Sequence, residues 1–112
     1  MWNTQITLDM TSTLLPENFI QKIRITSKIL KAVDHRLRQR MLEKMEFYGA
    51  LNAEALSSLL NIKPSLVNHH LDILRKQEII NLKLEGKQFF YSVNHNRIRK
   101  INNFVRCIND LD

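Results

Sequence analysis

Apolar residues recur at helical spacing over most of the chain, and the first such series follows Pro16-Glu17. Proline is favoured at the first position of a helix, and a carboxylate is favoured near a helix N-terminus. Beyond that pair, successive apolar positions are separated by four, three, four and three residues, with one polar member: Phe19, Ile23, Thr26, Leu30 and Val33. This spacing predicts a first helix that begins at residue 16 and carries one largely apolar face.

A second helix is predicted directly after the first. Asp34 is a candidate N-cap, because its short polar side chain can accept a hydrogen bond from a free backbone N–H. Gly49 ends the helix after about Tyr48, since glycine readily adopts the conformation of a helix C-terminus. The predicted inward positions are Leu37, Met41, Met45 and Tyr48.

Two more helices follow, with a tight turn between them. Asn52 is the predicted N-cap of a helix over Ala53–Leu60, and Asn61 ends that helix because asparagine tolerates the left-handed conformation. Pro64 begins a helix that runs to about residue 77. Two short helices joined so tightly are typical of a helix-turn-helix, here about residues 53–77. The shared apolar face of the shorter helix consists of Leu56, Leu59 and Leu60.

The period of the apolar positions then changes to two. The β-rich runs Glu78–Leu84 and Lys87–Val93 are separated by Glu85-Gly86, and an acidic residue followed by glycine indicates a two-residue hairpin turn. We therefore expect a hairpin over about residues 78–93, placed as a wing beside the helix-turn-helix.

A last helix is predicted over about residues 95–111, with Asn94 as its N-cap. Its apolar stripe consists of Ile98, Ile101, Phe104, Val105, Ile108 and Leu111. The elements together predict an α+β fold that is mainly α. We expect a single domain over residues 16–112 and an N-terminal arm over residues 1–15.

The fourth helix has a polar face opposite its apolar face. Val67, His70, Leu71 and Leu74 cluster within about 100° on a helical projection and are predicted to face the core, with His70 as a hydrogen-bonded core histidine. The other side carries Ser65, Asn68 and His69. Short polar side chains of this kind contact base edges when a helix enters the major groove, so these three are candidate base-reading residues. A solvated helix surface without a partner would show the same polarity.

The formal net charge is +6, from 17 Lys and Arg against 11 Asp and Glu. Residues 63–106 hold 9 of the basic and 3 of the acidic residues, so the excess belongs to one stretch and favours an anionic partner such as nucleic acid. Four lysines are candidate phosphate contacts: Lys63, Lys76, Lys83 and Lys87. Asp72 lies on the same side and would repel the DNA backbone unless it accepts a hydrogen bond from a cytosine amine.

Other classes of protein are disfavoured. No apolar run approaches the ~20 residues of a membrane span, and residues 1–15 do not form a signal peptide. The single cysteine, Cys107, excludes a disulfide framework and a CxxC metal cluster and suits a reducing compartment, so a cytoplasmic protein is expected. No phosphate-binding loop or catalytic constellation is visible, so we expect neither an enzyme nor a cofactor.

Taken in order, these segments resemble the ArsR family of winged helix-turn-helix repressors. The similarity spans about residues 17–110 and is carried by LKAVDHRLRQRML (30–42), LSSLLNIKPSLVNHHLDILRKQEII (56–80) and EGKQFFYSV (85–93). It implies a homodimer that binds an imperfect inverted repeat in double-stranded DNA. It also implies an inducer, such as a small-molecule effector, that weakens the DNA-bound form.

The chain departs from the family at its metal sites. Metal-sensing members carry a cysteine motif at the start of the third helix, where this chain has LNAEAL (51–56). Other members place ligands on the last helix, where the matching positions are His95, Arg97 and Ile108, and arginine and isoleucine cannot ligate a metal. No metal is therefore expected. The family's usual glycine after the fourth helix is Glu78, where a positive φ would cost about 1–2 kcal/mol and a different turn is the alternative.

The first and last helices carry more apolar surface than one small core requires. We expect them to pack together and against a second copy of the chain, in line with the dimer that the resemblance implies. The alternative is that both faces only close the core of the monomer. The candidate dimerisation residues are Phe19, Ile23, Leu30, Ile101, Phe104, Val105 and Ile108.

The leading hypothesis is a dimeric, sequence-specific DNA-binding transcriptional repressor without a metal site. The alternative is a winged-helix protein-interaction module whose basic face binds an acidic protein. A third hypothesis keeps the repressor and adds a metal or thiol sensor, for which Cys107 is the available thiol.

Overall fold

A computed structural model describes residues 10–110, with side chains from residue 18 onward. The predicted N-terminal arm therefore lies largely outside the described residues, and so does Leu111 of the last apolar stripe. The elements are helix α1 (Met10–Val33), α2 (Arg36–Tyr48), α3 (Ala53–Leu60), α4 (Pro64–Lys76), strands β1 (Ile80–Glu85) and β2 (Gln88–Val93), and helix α5 (His95–Asn109). The predicted α+β fold, mainly α with one hairpin, is confirmed. Among the described residues, no helix is both long and apolar enough to cross a membrane.

The described chain divides into two compact units after Leu30. The first unit contains most of α1, which begins at Met10, so the predicted start at Pro16 is wrong. Proline marks the first turn only by preference, and Met10, Leu14 and Leu15 keep a helical spacing upstream of it. On α1, Leu30 is 48% exposed, whereas Ile29 is buried. The division of the chain into an arm and a single domain remains a prediction.

The second unit has its core between helices α2 to α4 and the hairpin. Met41 and Leu56 are completely buried, as are Val67, Leu74 and Ile79. Burying an aliphatic side chain of this size contributes about 1.5–3 kcal/mol, so these residues supply much of the stability that positions α4. Tyr48 was predicted to point inward but is 54% exposed, and Leu59, on the predicted apolar face of α3, is 38% exposed.

Side-chain caps fix the starts of three helices in this unit. Asn52 Oδ1 accepts a hydrogen bond from the Ala55 amide at 2.7 Å, and Asn94 Oδ1 accepts one from the Arg97 amide at 3.2 Å, so both predicted caps are confirmed. The N-cap of α2 is His35 rather than Asp34: its Nδ1 accepts from the Leu37 amide at 3.1 Å. The helix begins one residue later than Asp34 requires, and imidazole can accept the same bond.

The strands of the wing form an antiparallel pair whose last partners are Glu85 and Gln88. The turn is therefore Gly86-Lys87 rather than the predicted Glu85-Gly86. Gly86 has φ 65°, and glycine at the first of two turn residues is typical of a type II′ hairpin. Leu51 pairs with Tyr91 through two backbone hydrogen bonds of 2.8 and 2.9 Å, which fixes β2 to the segment before α3.

Strand β1 begins at Ile80 and not at Glu78, because Glu78 adopts φ 59°. The left-handed turn is thus made at the position of the family's usual glycine, and the alternative of a different turn is wrong. The Glu78 amide donates to the Arg75 carbonyl at 2.9 Å, and Asn94 Nδ2 donates to the Glu78 carbonyl at 2.9 Å. These two hydrogen bonds hold the strained residue in place.

Helix α5 has no fully buried residue. Along its apolar stripe Ile98 is 40% exposed, and the other described members are only partly covered: Ile101, Phe104, Val105 and Ile108. Part of the apolar face of this amphipathic helix therefore stays in contact with water.

Candidate nucleic-acid interface

The polar face of α4 is exposed because its other face is locked into the core. Val67 and Leu74 are completely buried, and Leu71 is 2% exposed. The structure brings the predicted base-reading residues together on the opposite side, where Ser65, Asn68 and His69 are all exposed. All three lie in the first half of the helix, which is the part that enters the major groove in helix-turn-helix proteins.

The tight turn before α4 fixes the direction of this helix. Asn61 is left-handed with φ 55°, as predicted, and the Ile62 amide donates to the Ser57 carbonyl at 3.1 Å. The Ser57 hydroxyl donates in turn to the Ile62 carbonyl. Lys63 is the N-cap of α4, where its ammonium group cannot accept a capping hydrogen bond, and its side chain is exposed at the helix start.

A buried Arg–His contact joins α4 to α2. Arg38 is 9% exposed, and its Nη1 lies 3.1 Å from Nδ1 of His70, which is 5% exposed. Arg38 Nε also donates to the Ala32 carbonyl. The prediction of a hydrogen-bonded core histidine is confirmed. Its partner was missed, because Arg38 is not one of the predicted inward positions of α2 and an arginine gives no signal of burial in the helical pattern.

Burial lowers the pKa of His70 below its usual value, and electrostatic interactions with His35, Arg38 and His69 lower it further. The rings of His35 and His69 lie 4.6 and 5.1 Å from the His70 ring, centroid to centroid. His70 is therefore neutral near pH 7, and its Nδ1 can accept a hydrogen bond from the Arg38 guanidinium.

The negative charge of Asp72 is balanced by two basic residues of the same helix. Its carboxylate oxygens lie 2.8 Å from Arg75 Nη2 and 3.1 Å from Lys76 Nζ, and these hydrogen bonds lower the pKa of Asp72. The repulsion expected between Asp72 and a DNA backbone is thus reduced. The same pairing occupies Lys76, which weakens its role as a phosphate contact.

The remaining candidate phosphate contacts differ in their surroundings. Lys83 Nζ lies 3.3 Å from Glu85 Oε2, so this lysine also has a competing carboxylate. Lys63 and Lys87 are exposed, and neither forms an ion pair with any residue in the described part of the chain. They lie at the start of α4 and in the turn of the wing.

A cleft of about 330 Å³ separates α4 from the wing. Asn68 lines it from α4, and Gln88, Phe89 and Tyr91 line it from β2. At its edge, Asn52 Nδ2 donates to Gln88 Oε1 at 2.8 Å. The sequence pattern did not indicate this amide pair, because its members are 36 residues apart.

Residues 10–110 contain no group of three or more His, Cys, Asp or Glu side chains placed to hold a metal ion. Cys107 is a free, exposed thiol on α5.

A helix-turn-helix followed by a hairpin that extends beside its second helix defines a winged helix-turn-helix protein. The similarity of the chain to known proteins agrees with this class. The chain is 28% identical over 68 residues to the transcriptional repressor SdpR of Bacillus subtilis (strain 168), covering 61% of this chain and 74% of SdpR. No protein-family model matches the present chain.

Solved structures share this fold over most of the chain. An ArsR-like transcriptional regulator from Rhodococcus sp. RHA1 matches with a TM-score of 0.74 at 15% identity, covering 79% of this chain and 82% of that one. The homodimeric winged helix-turn-helix DNA-binding domain Mb0332 of Mycobacterium bovis, a possible ArsR-family regulator, matches with a TM-score of 0.64 at 15% identity, over 86% and 85%. The resemblance of the sequence to ArsR-like winged helix-turn-helix regulators is confirmed.

Proposed function

We propose that this protein is a dimeric, sequence-specific DNA-binding repressor that binds an inverted repeat with α4 in the major groove. The observation that carries the proposal is the joint exposure of Ser65, Asn68 and His69 on the outer face of α4, held there by a fully packed inner face. The similarity to the repressor SdpR supports the same function.

Each of the three base-reading residues on α4 has a chemical role in this proposal. Asn68 can pair with adenine through one acceptor and one donor, and such a bidentate contact discriminates by about 1–3 kcal/mol. Ser65 and His69 add single hydrogen bonds to base edges. Asn68 also borders the cleft beside the wing, which places it at the centre of the surface.

Lys63 and Lys87 are the main phosphate contacts in the proposal, because neither has a carboxylate partner in the described structure. Lys76 and Lys83 are secondary contacts, since each must leave Asp72 or Glu85. An exposed ion pair contributes only about 0–1 kcal/mol, so a phosphate can replace the carboxylate.

The apolar stripe of α5 and the apolar positions of α1 form the dimer interface in this proposal. The partial exposure of the α5 residues Ile101, Phe104, Val105 and Ile108 supports it, and so does the homodimeric state of Mb0332. The proposed contacts from α1 are Phe19, Ile23 and Leu30. A two-fold dimer places its two recognition helices in successive major grooves about 34 Å apart, which requires an inverted repeat. Release from DNA by a small-molecule effector, and action in the cytoplasm, complete the proposal.

The test is selection of duplexes by the full chain from a pool with 30 randomised base pairs, followed by titration of the enriched duplex. We expect an enriched inverted repeat, and Asn68→Ala should weaken binding about 10-fold at one position of each half-site. Asn96→Ala, on α5, is the matched control and should leave affinity unchanged. Failure to enrich any duplex, together with binding to an acidic protein that random DNA does not displace, would establish the interaction module instead.

A further inference from the structure

The wing has one apolar face that continues to its tip. Leu82 pairs with Tyr91 and Leu84 pairs with Phe89 in the hairpin register, and alternate residues of a strand share a face. Leu84 is 59% exposed and Phe89 is 49% exposed. These two side chains take little part in the core, so the tip of the wing keeps apolar surface that a partner can cover.

The wing is attached firmly enough to hold this pair in one direction. Two backbone hydrogen bonds to Leu51 fix β2 at Tyr91. Tyr91 is two residues from Phe89 along the strand, about 7 Å away for a rise of ~3.3 Å per residue. Closer to the tip, the side-chain hydrogen bond from Asn52 to Gln88 adds a second attachment. The apolar pair therefore projects from a hairpin that these hydrogen bonds hold against the start of α3.

Resting on the proposed DNA-binding function, we propose that Leu84 and Phe89 form an apolar wedge that enters the minor groove next to α4 and bends the duplex. The minor groove of B-DNA is about 6 Å wide. Two strands ~4.8 Å apart, with their side chains, are wider than that, so the tip can enter only if the groove opens. Apolar side chains inserted at a base step stabilise the opened, partly unstacked form.

The position of the wedge and the charges around it favour DNA as its binding partner. Phe89 lines the same cleft as Asn68, so the wedge is continuous with the proposed base-reading surface. Lys87 lies in the turn beside it, and Lys83 lies on the same hairpin with its side chain 74% exposed and its Nζ 3.3 Å from Glu85 Oε2. Two cations beside an apolar tip match a narrow groove that is bordered on both sides by phosphates.

The wedge contributes specificity without hydrogen bonds to bases. Pyrimidine–purine steps unstack most easily, so such steps should be favoured at the minor-groove positions that the wing reaches. This preference would appear in enriched duplexes outside the bases that face α4.

The experiment uses the enriched duplex carrying 2-aminopurine at the candidate step and a pair of dyes at its ends. We expect the unaltered chain to raise 2-aminopurine fluorescence and to shorten the distance between the dyes. Phe89→Ser should abolish both signals and weaken binding about tenfold while the dependence on salt is retained, because no phosphate contact is lost. Phe89→Leu should preserve them. Phe47→Ser, which removes an 80% exposed phenylalanine at the end of α2, is the matched control and should change nothing.

Lys87→Ala provides the opposite result, since it should reduce the salt slope by about one unit and keep the bend. The wedge is refuted if Phe89→Ser behaves like Phe47→Ser, or if Phe89→Ser lowers the sedimentation mass of the free protein while the bend is retained. Circular dichroism melting of each variant confirms that it is folded. If the unaltered chain enriches no duplex, the proposed function fails rather than the wedge alone.

Discussion

Removing the imidazole of His70 while Arg38 stays should destabilise the protein strongly. In His70→Leu the buried Nη1 of Arg38 loses the acceptor that lies 3.1 Å away. A buried donor without a partner costs about 1–3 kcal/mol, and more when it is charged. Leucine fills a similar volume, so little cavity energy is added. We expect a loss of about 2–3 kcal/mol in the free energy of unfolding.

Replacing both partners should cost much less than the sum of the single changes. Arg38→Met alone leaves the Ala32 carbonyl and the His70 ring without their donor. In the double variant Arg38→Met/His70→Leu the charge and the imidazole are gone together, and apolar groups of similar shape replace them. Only the Ala32 carbonyl remains unpaired, so the coupling energy between the two sites should be about 1–3 kcal/mol.

The burial of His70 should also make stability depend on pH. Because the pKa of His70 is lowered in the folded protein, the unfolded chain binds more protons once the pH falls below about 6.5, the value for an unperturbed histidine. Stability is therefore complete above that pH and falls as the solution is acidified. His70 protonated at Nδ1 cannot accept from Arg38, and its positive charge would lie beside the Arg38 guanidinium.

Urea unfolding followed by circular dichroism measures the unaltered chain and these three variants at one fixed protomer concentration, since the free energy of unfolding of a dimer depends on concentration. Titration between pH 5.5 and 8 on the same samples gives the pH dependence. Strictly additive single changes, or an unchanged acid response in His70→Leu, would refute the assigned contact.

Three further changes test separate parts of the structure. Glu78→Gly should raise the free energy of unfolding by about 1 kcal/mol in the same assay, because glycine accepts φ 59° without strain; a lower value would mean that the glutamate side chain is needed. Asp72→Asn should steepen the salt dependence of DNA binding by up to about one unit by releasing Lys76, measured by fluorescence anisotropy, and an unchanged slope would place Lys76 away from phosphates. Ile108→Asp should halve the sedimentation mass, and a retained dimer would exclude this part of α5 from the interface.

The local order of the chain could be predicted well where one residue type determines the backbone. Asn52, Asn61 and Asn94 cap or end helices as expected, because the interaction is made within a few residues. The alternation of apolar positions also placed the two strands. The hairpin turn was shifted by one residue, since Glu85-Gly86 and Gly86-Lys87 are both acceptable two-residue turns and the pairing of the strands decides between them.

Features that depend on distant residues could not be predicted in this way. The burial of Arg38 depends on His70, 32 residues later, and the Asn52–Gln88 bond joins residues 36 apart. The ion pairs of Asp72 could have been predicted, because Arg75 and Lys76 are three and four residues further along the same helix. Polarity alone identified the exposed face of α4 but could not show which lysines keep their charge available.

The net charge of +6 is therefore an imperfect guide to the proposed DNA-binding surface. Arg97 donates to the Gln77 carbonyl at 3.2 Å, and Arg99 donates to Asn96 at 2.7 Å, so these two arginines serve the attachment and surface of α5. Lys76 and Lys83 are shared with carboxylates, which leaves Lys63 and Lys87 as the least encumbered cations of the four proposed contacts. They lie at the two ends of the proposed surface, the start of α4 and the tip of the wing. Two cations per protomer can orient the protein on a duplex, but discrimination between sequences must come from the uncharged groups between them.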